Sequence, residues 1–493
     1  MSIQSKKFYI TTAIDYVNAK PHIGHALEKI QADVLARYRR TKGDDVWFLT
    51  GTDEHGAKIA RAAEEAGMEP KAFVDENAEK FKELKTVLNL SWDDFIRTSD
   101  EKRHWPGAQK LWTKLHEAGD LYKKKYRGLY CVGHEAFVTE KDLVEGKCRD
   151  HQKEPEVIEE ENYFFRLSKY ANEIEARIKN KELRIIPETR ENEILSFIKQ
   201  GLEDVSFSRP RKDLSWGIPV PNDPEHTIYV WCDALANYLT ASGYGSELEG
   251  KERFSTFWPA DLHVIGKDIL RFHAAIWPGM LLSAGLPLPR AIFVHGFITV
   301  EGEKMSKTVG NVIDPVELVK KYGTDPVRYY LLREISSYED GDFSYKKFEE
   351  RHNGDLANGI GNLVARVAAL GEKIGPISFE FKRDIEKEVD IASDSAFQKY
   401  ERHLEEIRLN EALGVVWELI SFADRYINEN KPWELSGEAL QKVIVNASYL
   451  IGAISNLLEP FLPETAEKIR EQISFEDSVI KIKKAESLFP RLK

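Results

Sequence analysis

The segment that most constrains this chain is an apolar, β-branched run, Phe8-Tyr9-Ile10-Thr11-Thr12, followed closely by Pro21-His22-Ile23-Gly24-His25 and a helical pattern from Ala26 through Tyr38. A continuous apolar run reads as a buried strand, and a strand feeding a helix opens a parallel α/β sheet. Two imidazoles then stand at a helix N-terminus. Backbone N–H groups and the positive end of the helix dipole favour an anion there, and Gly24 leaves room for a ribose or purine to approach the backbone. The local chemistry is that of a nucleotide site. A second segment, Lys304-Met305-Ser306-Lys307-Thr308, carries two lysines, with Gly302 before it and Gly310-Asn311 after it. It reads as a mobile loop that brings positive charge to phosphates, which suits pyrophosphate leaving.

A chain of 493 residues with 42% hydrophobic content is long enough for three or four domains with substantial cores. It shows no charged-then-apolar leader and no apolar stretch of about 18 residues, so no membrane span is expected. Three cysteines in such a length point to a reducing compartment, and a cytoplasmic location is expected. The net charge of −12 argues against indiscriminate nucleic-acid binding. An RNA partner would have to meet local basic patches such as Lys123-Lys124-Lys125-Tyr126-Arg127 or Arg209-Pro210-Arg211-Lys212, each of which also reads as a solvated face.

Along the chain, strand-like Val46-Trp47-Phe48-Leu49-Thr50 precedes Gly51-Thr52-Asp53-Glu54-His55-Gly56, and helical patterns follow through Leu90. From about Leu121 to Lys212 a charged, turn-rich texture with Glu159-Glu160-Glu161 reads as an inserted module. The strand-helix alternation resumes at Thr227-Ile228-Tyr229-Val230-Trp231 and at Leu262-His263-Val264-Ile265-Gly266. After Tyr345 the pattern is nearly all helical, as in Ala412, Val415, Leu419, Phe422 and Tyr426, which predicts a helix bundle.

Each of the two opening segments is ambiguous alone, since a His-x-x-His pair also suits zinc or an ordinary surface. Their order, with about 280 residues between them, resembles the signature pair of the class I aminoacyl-tRNA synthetases. Thr12-Ala13-Ile14-Asp15-Tyr16, the run from Tyr229 to Tyr238 and Gly266-Lys267-Asp268-Ile269-Leu270-Arg271-Phe272-His273 resemble the methionyl branch of that class, essentially end to end. The resemblance implies a Rossmann-type, doubly wound parallel sheet split by a connective insertion, followed by an all-α bundle. The expected spans are 1–118 and 223–296 for the two halves of the sheet domain and 119–222 for the insertion. Residues 297–352 would form the region of the lysine loop and tRNA-stem contact, and 353–493 the anticodon-binding bundle. The chain ends near where the family's shared core ends, so no dimerisation domain and a monomer are expected.

The same resemblance implies an amino-acid pocket lined by Ala13, Ile14, Tyr16, Trp231, Leu235, Tyr238, Ile269, Phe272 and His273, with Asp53 receiving the substrate ammonium. Leu235 stands where some relatives have proline. ATP, accompanied by Mg2+, would meet His22, Gly24, His25, Asp268, Lys304 and Lys307, of which His22, His25, Lys304 and Lys307 would be catalytic. The methionine carboxylate would attack the α-phosphorus, and the adenylate would then pass its acyl group to the terminal adenosine of tRNA. Cys131-x-x-His134 and Cys148-x-x-His151 have paired spacing for a structural zinc, although the family's usual pattern favours cysteine at the position of His134. Asn362 and Arg366, four apart on one helix face, and Trp433 match the family's anticodon-reading positions. Valine-, isoleucine- and leucine-type synthetases carry a large editing insertion, which a module of about 90 residues is too short to hold. A small-molecule nucleotidyltransferase has no need of the bundle, and the intact histidines, lysines and Asp53 disfavour a catalytically dead scaffold.

Overall fold

The computed structural model describes residues 5–133, 135–138, 140–149, 152–246, 251–305, 310–476 and 478–493. The chain divides into two compact units, one of Met1–Pro21, Arg39–Lys85 and Ser91–Val294, the other of His22–Tyr38, Thr86–Leu90 and His295–Lys493.

The first unit is built on a seven-stranded sheet. Its centre is β1 (Lys7–Thr12), buried beyond its first residue, as a strand covered on both faces must be. β1 pairs in parallel with β3 (Asp45–Asp53) on one side, Ile10 opposite Phe48, and with Leu262–Gly266 on the other, Ile10 opposite Leu262. Asp94–Arg97 (β4) pairs along the outer edge of β3 and Asp15–Tyr16 (β2) with the end of its other edge, both reaching Thr52, and Ala291–His295 lies outside Leu262–Gly266. Chain order reverses at β1, so a crevice opens at the carboxyl ends of β1 and Leu262–Gly266, the place where open α/β sheets bind ligands.

Three details differ from the expected organisation. Arg184–Ile186, inside the span expected to be an insertion, is the parallel edge strand beside Ala291–His295. Its three residues are too short to show a periodicity. Asp223–Ile228 does not continue the parallel sheet; it pairs antiparallel with Ser208–Pro210 and Pro219–Val220. The basic run 123–127 lies on Leu121–Cys131, antiparallel to Glu156–Phe165, with Lys125 opposite Glu161 and Arg127 opposite Glu159. Lys123 also pairs with Asp223 at 2.8 Å, and Arg209, nearly buried, pairs with Glu160 at 2.6 Å. Part of this positive charge is therefore answered by carboxylates on neighbouring strands.

In the second unit, the His22–Tyr38 part of α1 (Ile23–Thr41) is anchored by Arg328 from the helix Thr324–Arg333. The guanidinium is fully buried and reaches Asp33 at 2.8 Å and the carbonyls of Phe461, Leu88 and Pro460 at 2.7, 3.0 and 3.0 Å. Arg37 supplies Asp33 with a further bond at 2.8 Å. A planar, permanently charged fork suits such convergent oxygens as a lysine would not. The helices Lys387–Glu405, Leu409–Asn430, Gly437–Leu458 and Pro463–Gln472 form the bundle, and Ala412, Val415, Val416, Leu419, Ala423 and Tyr426 bury one face of the second. A small antiparallel sheet of Ile377–Ser378, Val479–Ile482 and Ile473–Glu476 accompanies them.

Candidate functional site

At the start of α1 the two histidines are held by main-chain donors. The Gly24 N–H donates to His22 Nδ1 at 3.1 Å, and the His22 N–H donates to His25 Nδ1 at 3.0 Å. Each neutral ring therefore carries its proton on Nε2. The rings stack with centroids 3.8 Å apart at 27°. Burial first, and then the neighbouring His25 and Lys29, lower His22 to about 2. Burial, then Lys29 and His295, lower His25 to about 3. At neutral pH both are uncharged N–H donors, in keeping with a helix terminus whose dipole disfavours a cation.

Gly24 has a steric role as well. A Cβ there would lie 2.9 Å from the His22 ring and 3.8 Å from the Met305 methyl, so the structure brings the two signature segments together within this unit. Lys304, expected in a mobile loop, ends the short strand Glu303–Lys304, paired opposite Thr299 of Ile298–Val300. Lys307, with Ser306 and Thr308, lies outside the described residues.

In the first unit, Asp53 ends β3 and is buried, and its Oδ1 has no hydrogen-bond partner among the described residues. Burial above all, then the charges of Asp233 and Glu135, push its pKa well above the carboxylate range, against a bond from the His55 N–H. Beside it, Tyr16 donates its hydroxyl to the His55 carbonyl at 2.9 Å. The helix Val230–Thr240 places Trp231, Leu235 and Tyr238 on one face by their spacing of four and three. Trp231 stacks on Phe272 at 3.7 Å and 13°. His273 donates Nδ1–H to the Ile269 carbonyl at 3.0 Å, which leaves Nε2 to accept the Tyr238 hydroxyl at 2.7 Å. Burial lowers His273 to about 4. Ala13 is buried and Ile14 half-buried, both packed with this cluster, and Asp268 is exposed in the turn Lys267–Ile269.

Glu135, which the sequence did not single out, reaches this site from the turn after the strand Leu121–Cys131. It has φ +49° and accepts the Lys58 N–H at 2.8 Å, at the start of α2 (Ala57–Glu65). A Cβ on Gly56, whose φ is +104°, would lie 2.7 Å from Glu135 Oε1 and 2.8 Å from the Tyr16 hydroxyl. The glycine in Asp53-Glu54-His55-Gly56 was the available signal: it marks a close approach, though not by whom.

In the second unit, Asn362 and Arg366 lie on the helix Asn362–Gly371. Arg366 bonds Asp424 at 2.8 Å and Asn428 at 2.6 Å, and its guanidinium stands 5.5 Å from the centre of the Trp433 ring. Trp433 is 52% exposed in the turn that follows Leu409–Asn430, where Lys431 takes φ +42°. Arg366 and Trp433 thus stand together at the surface, a guanidinium over a half-exposed indole, with the exposed amide of Asn362 four residues before Arg366. Cys131 and Cys148 are buried and share a small cluster with Val138, flanked by Leu129 and Leu143. His134 and His151 lie outside the described residues, and among those described no group of three or more metal-ligating side chains is gathered.

Comparison with known proteins adds independent findings. A family model described as tRNA synthetases class I (M) matches residues 8–155 and 138–368, and one described as an anticodon-binding domain of tRNA ligase matches 392–489. The methionine–tRNA ligase of Clostridium acetobutylicum is 45% identical over 99% of this chain and 79% of its own length. That of Rhizobium meliloti is 43% identical over 95% and 92%. Mycobacterium tuberculosis methionyl-tRNA synthetase in complex with methionyl-adenylate superposes with a TM-score of 0.93 at 38% identity, covering 99% of this chain and 100% of that one. The free form of the same protein gives 0.86 at 35% identity, covering 100% and 99%.

The tautomers and neutral state derived above lead to a spectroscopic expectation. In 15N-edited spectra, assigned with single His→Gln variants, His22, His25 and His273 should stay neutral between about pH 5 and pH 8, while exposed imidazoles titrate near 6.5. A ring at position 22 or 25 that protonates near pH 6.5 would contradict the burial argument.

Proposed function

The chain belongs to the class I methionine–tRNA ligases, and we propose that its groups of site residues divide the steps of that reaction among themselves. The enzyme joins methionine to ATP as methionyl-adenylate with release of pyrophosphate, then transfers the methionyl group to the terminal adenosine of tRNA(Met). The observation that carries the residue assignment is Asp53: a buried carboxylate with one unanswered oxygen calls for a cation, and a substrate ammonium is one. Trp231, Phe272, Tyr238 and His273, with Ala13, Ile14, Tyr16, Leu235 and Ile269, would hold the thioether. Sulfur against aromatic edges contributes about 0.3–1.5 kcal/mol.

In the first step the methionine carboxylate oxygen bonds the α-phosphorus as the bond from that phosphorus to the bridging oxygen breaks. The protein's part is placement and charge compensation. His22 and His25 would donate Nε2–H to phosphate oxygens as neutral groups, which demands no buried cation in the free enzyme. Lys304 and Lys307 would supply the positive charge to departing pyrophosphate, Asp268 would hold the ribose hydroxyls, and Mg2+ would enter with ATP. In the second step a ribose hydroxyl of the terminal adenosine, by class resemblance the 2′, attacks the adenylate carbonyl. Arg366 and Trp433, with Asn362, would read unstacked anticodon bases. A cytoplasmic monomer fits this reading.

Zinc belongs to the proposal too. The shared burial of Cys131 and Cys148 suits two thiolate ligands on one ion, with His134 and His151 completing a filled, structural set. Its contribution would be a cross-link within the module.

Amino-acid-dependent exchange of pyrophosphate into ATP tests the assignment directly. Norleucine has the length of methionine and lacks only the sulfur, so methionine should exceed it by the sulfur–aromatic contribution of about 0.3–1.5 kcal/mol, whereas packing worth about 1–3 kcal/mol per methylene should leave leucine and valine nearly silent. Faster exchange with valine would refute the pocket.

For the bundle, Trp433→Ala should weaken aminoacylation of tRNA(Met) about 10- to 100-fold, from stacking worth about 1–3 kcal/mol per base, while exchange stays near the parent rate. Equal damage to both steps would make Trp433 a packing residue.

For the metal, protein produced with zinc available should contain about one equivalent, and Cys148→Ser should release it. Zinc-free protein from such a preparation would assign Cys131 and Cys148 to packing alone.

A further inference from the structure

Behind the pocket, on the other face of the helix Val230–Thr240, lies a chain of buried polar groups that none of the steps above uses. Asp233 accepts His55 Nδ1–H at 2.6 Å on one oxygen and His104 Nε2–H at 2.6 Å on the other. His104 Nδ1 bonds the Thr240 hydroxyl at 2.8 Å. His55, His104 and Asp233 are at most 1% exposed. Residues 233 and 240 are seven apart and share a helix face, roughly opposite that of Trp231, Leu235 and Tyr238. His104 therefore grips both ends of the helix that forms the pocket wall.

His55 carries the connection to the substrate side. Its ring binds Asp233, its N–H binds the Asp53 carboxylate, and its carbonyl accepts the Tyr16 hydroxyl at 2.9 Å. One residue thus ties the proposed ammonium acceptor and an adjacent pocket residue to the helix bearing Trp231, Leu235 and Tyr238. Burial alone would raise the Asp233 carboxyl, but its bonds and charge interactions with the two imidazoles outweigh that and hold it below its ordinary value. Apolar side chains of similar size commonly stabilise as well or better than such a network. What the polar chain adds is direction, because each bond fixes an angle as well as a distance.

We propose that His55, Asp233 and His104 form a positioning chain for amino-acid recognition, setting the Asp53 carboxylate and Tyr16 in register with the aromatic pocket wall. The proposal rests on Asp53 as the ammonium acceptor.

The experiment is pyrophosphate-exchange kinetics on the full chain, with the active fraction counted as adenylate formed per protein in a single burst. Asp233→Asn, nearly isosteric, should raise KM for methionine about 10-fold or more, while KM for ATP and kcat per active site change less than about 3-fold. His104→Gln, which keeps an N–H for Asp233, should lose less methionine affinity than His104→Ala. Thr240→Val, at the far end, should raise KM for methionine about 3-fold, and it supplies the test if Asp233→Asn fails to fold. A merely structural role would lower the active fraction and leave KM for methionine unmoved; that result in Asp233→Asn, or in Thr240→Val if it stands alone, overturns the proposal. Asp53→Ala run alongside separates the failures. If it too leaves KM unchanged, the ammonium assignment falls; if it alone raises KM, only the positioning chain does.

Discussion

Asp53 stands at the end of β3 with its carboxylate buried, one oxygen without a partner among the described residues, and two further carboxylates, Asp233 and Glu135, close enough to raise its pKa. A carboxylate held there is costly in the free chain, since burial and like charges both penalise ionisation. The surrounding structure maintains that cost. β1 and β3 pair in parallel from Lys7 to Thr11 and carry the chain to the open end of the sheet, while Asp15–Tyr16 pairs beyond them and puts Tyr16 opposite Asp53. The His55 N–H and the Glu135 approach at Gly56 then fix the ground around the carboxylate. On the proposed reading an amino acid would bring the missing positive charge, which would concentrate binding energy where the free protein is least satisfied.

The second unit solves a different electrostatic problem. On the proposed reading a triphosphate would meet donors that need not be buried as cations, since the start of α1 offers neutral imidazoles with Nδ1 occupied by main-chain N–H groups. The helix terminus would supply part of the positive field, and the full charges proposed for this step would come from lysines such as Lys304. Further along α1, Asp33 is locked by Arg328 and Arg37, and Arg328 in turn grips carbonyls at Leu88, Pro460 and Phe461. The helix that presents the histidines is thereby fixed to the turn between two helices of the bundle.

Much of this was legible in the sequence because it is local. The strand before His22, the helix after it, the strand through Val46–Thr50 and the bundle stripe from Ala412 to Tyr426 follow from hydrophobic patterning, and the residues proposed for the pocket came from the family resemblance of the motif segments. What escaped was set by pairing across the chain. The charge of Lys123–Arg127 was visible, but that the strand bearing it lies opposite Glu159–Glu161 depends on antiparallel register. Thr227-Ile228-Tyr229-Val230-Trp231 has the composition of a buried strand, but only Thr227 and Ile228 are strand, in an antiparallel sheet, and Val230 and Trp231 open a helix. His55, His104 and Asp233 lie in three separate segments, so no short-range pattern could connect them. Glu135 takes a left-handed conformation unusual for its residue type and reaches Gly56 from a segment about 80 residues further along the chain.

Calorimetric binding of methionine and of its des-amino analogue, to the parent chain and to Asp53→Ala, tests most directly whether Asp53 is the ammonium acceptor. An unanswered buried carboxylate should make the parent bind the analogue about 100-fold or more weakly than methionine, and removal of Asp53 should shrink that gap below about 10-fold. A gap of equal size in both proteins would contradict the role given to Asp53.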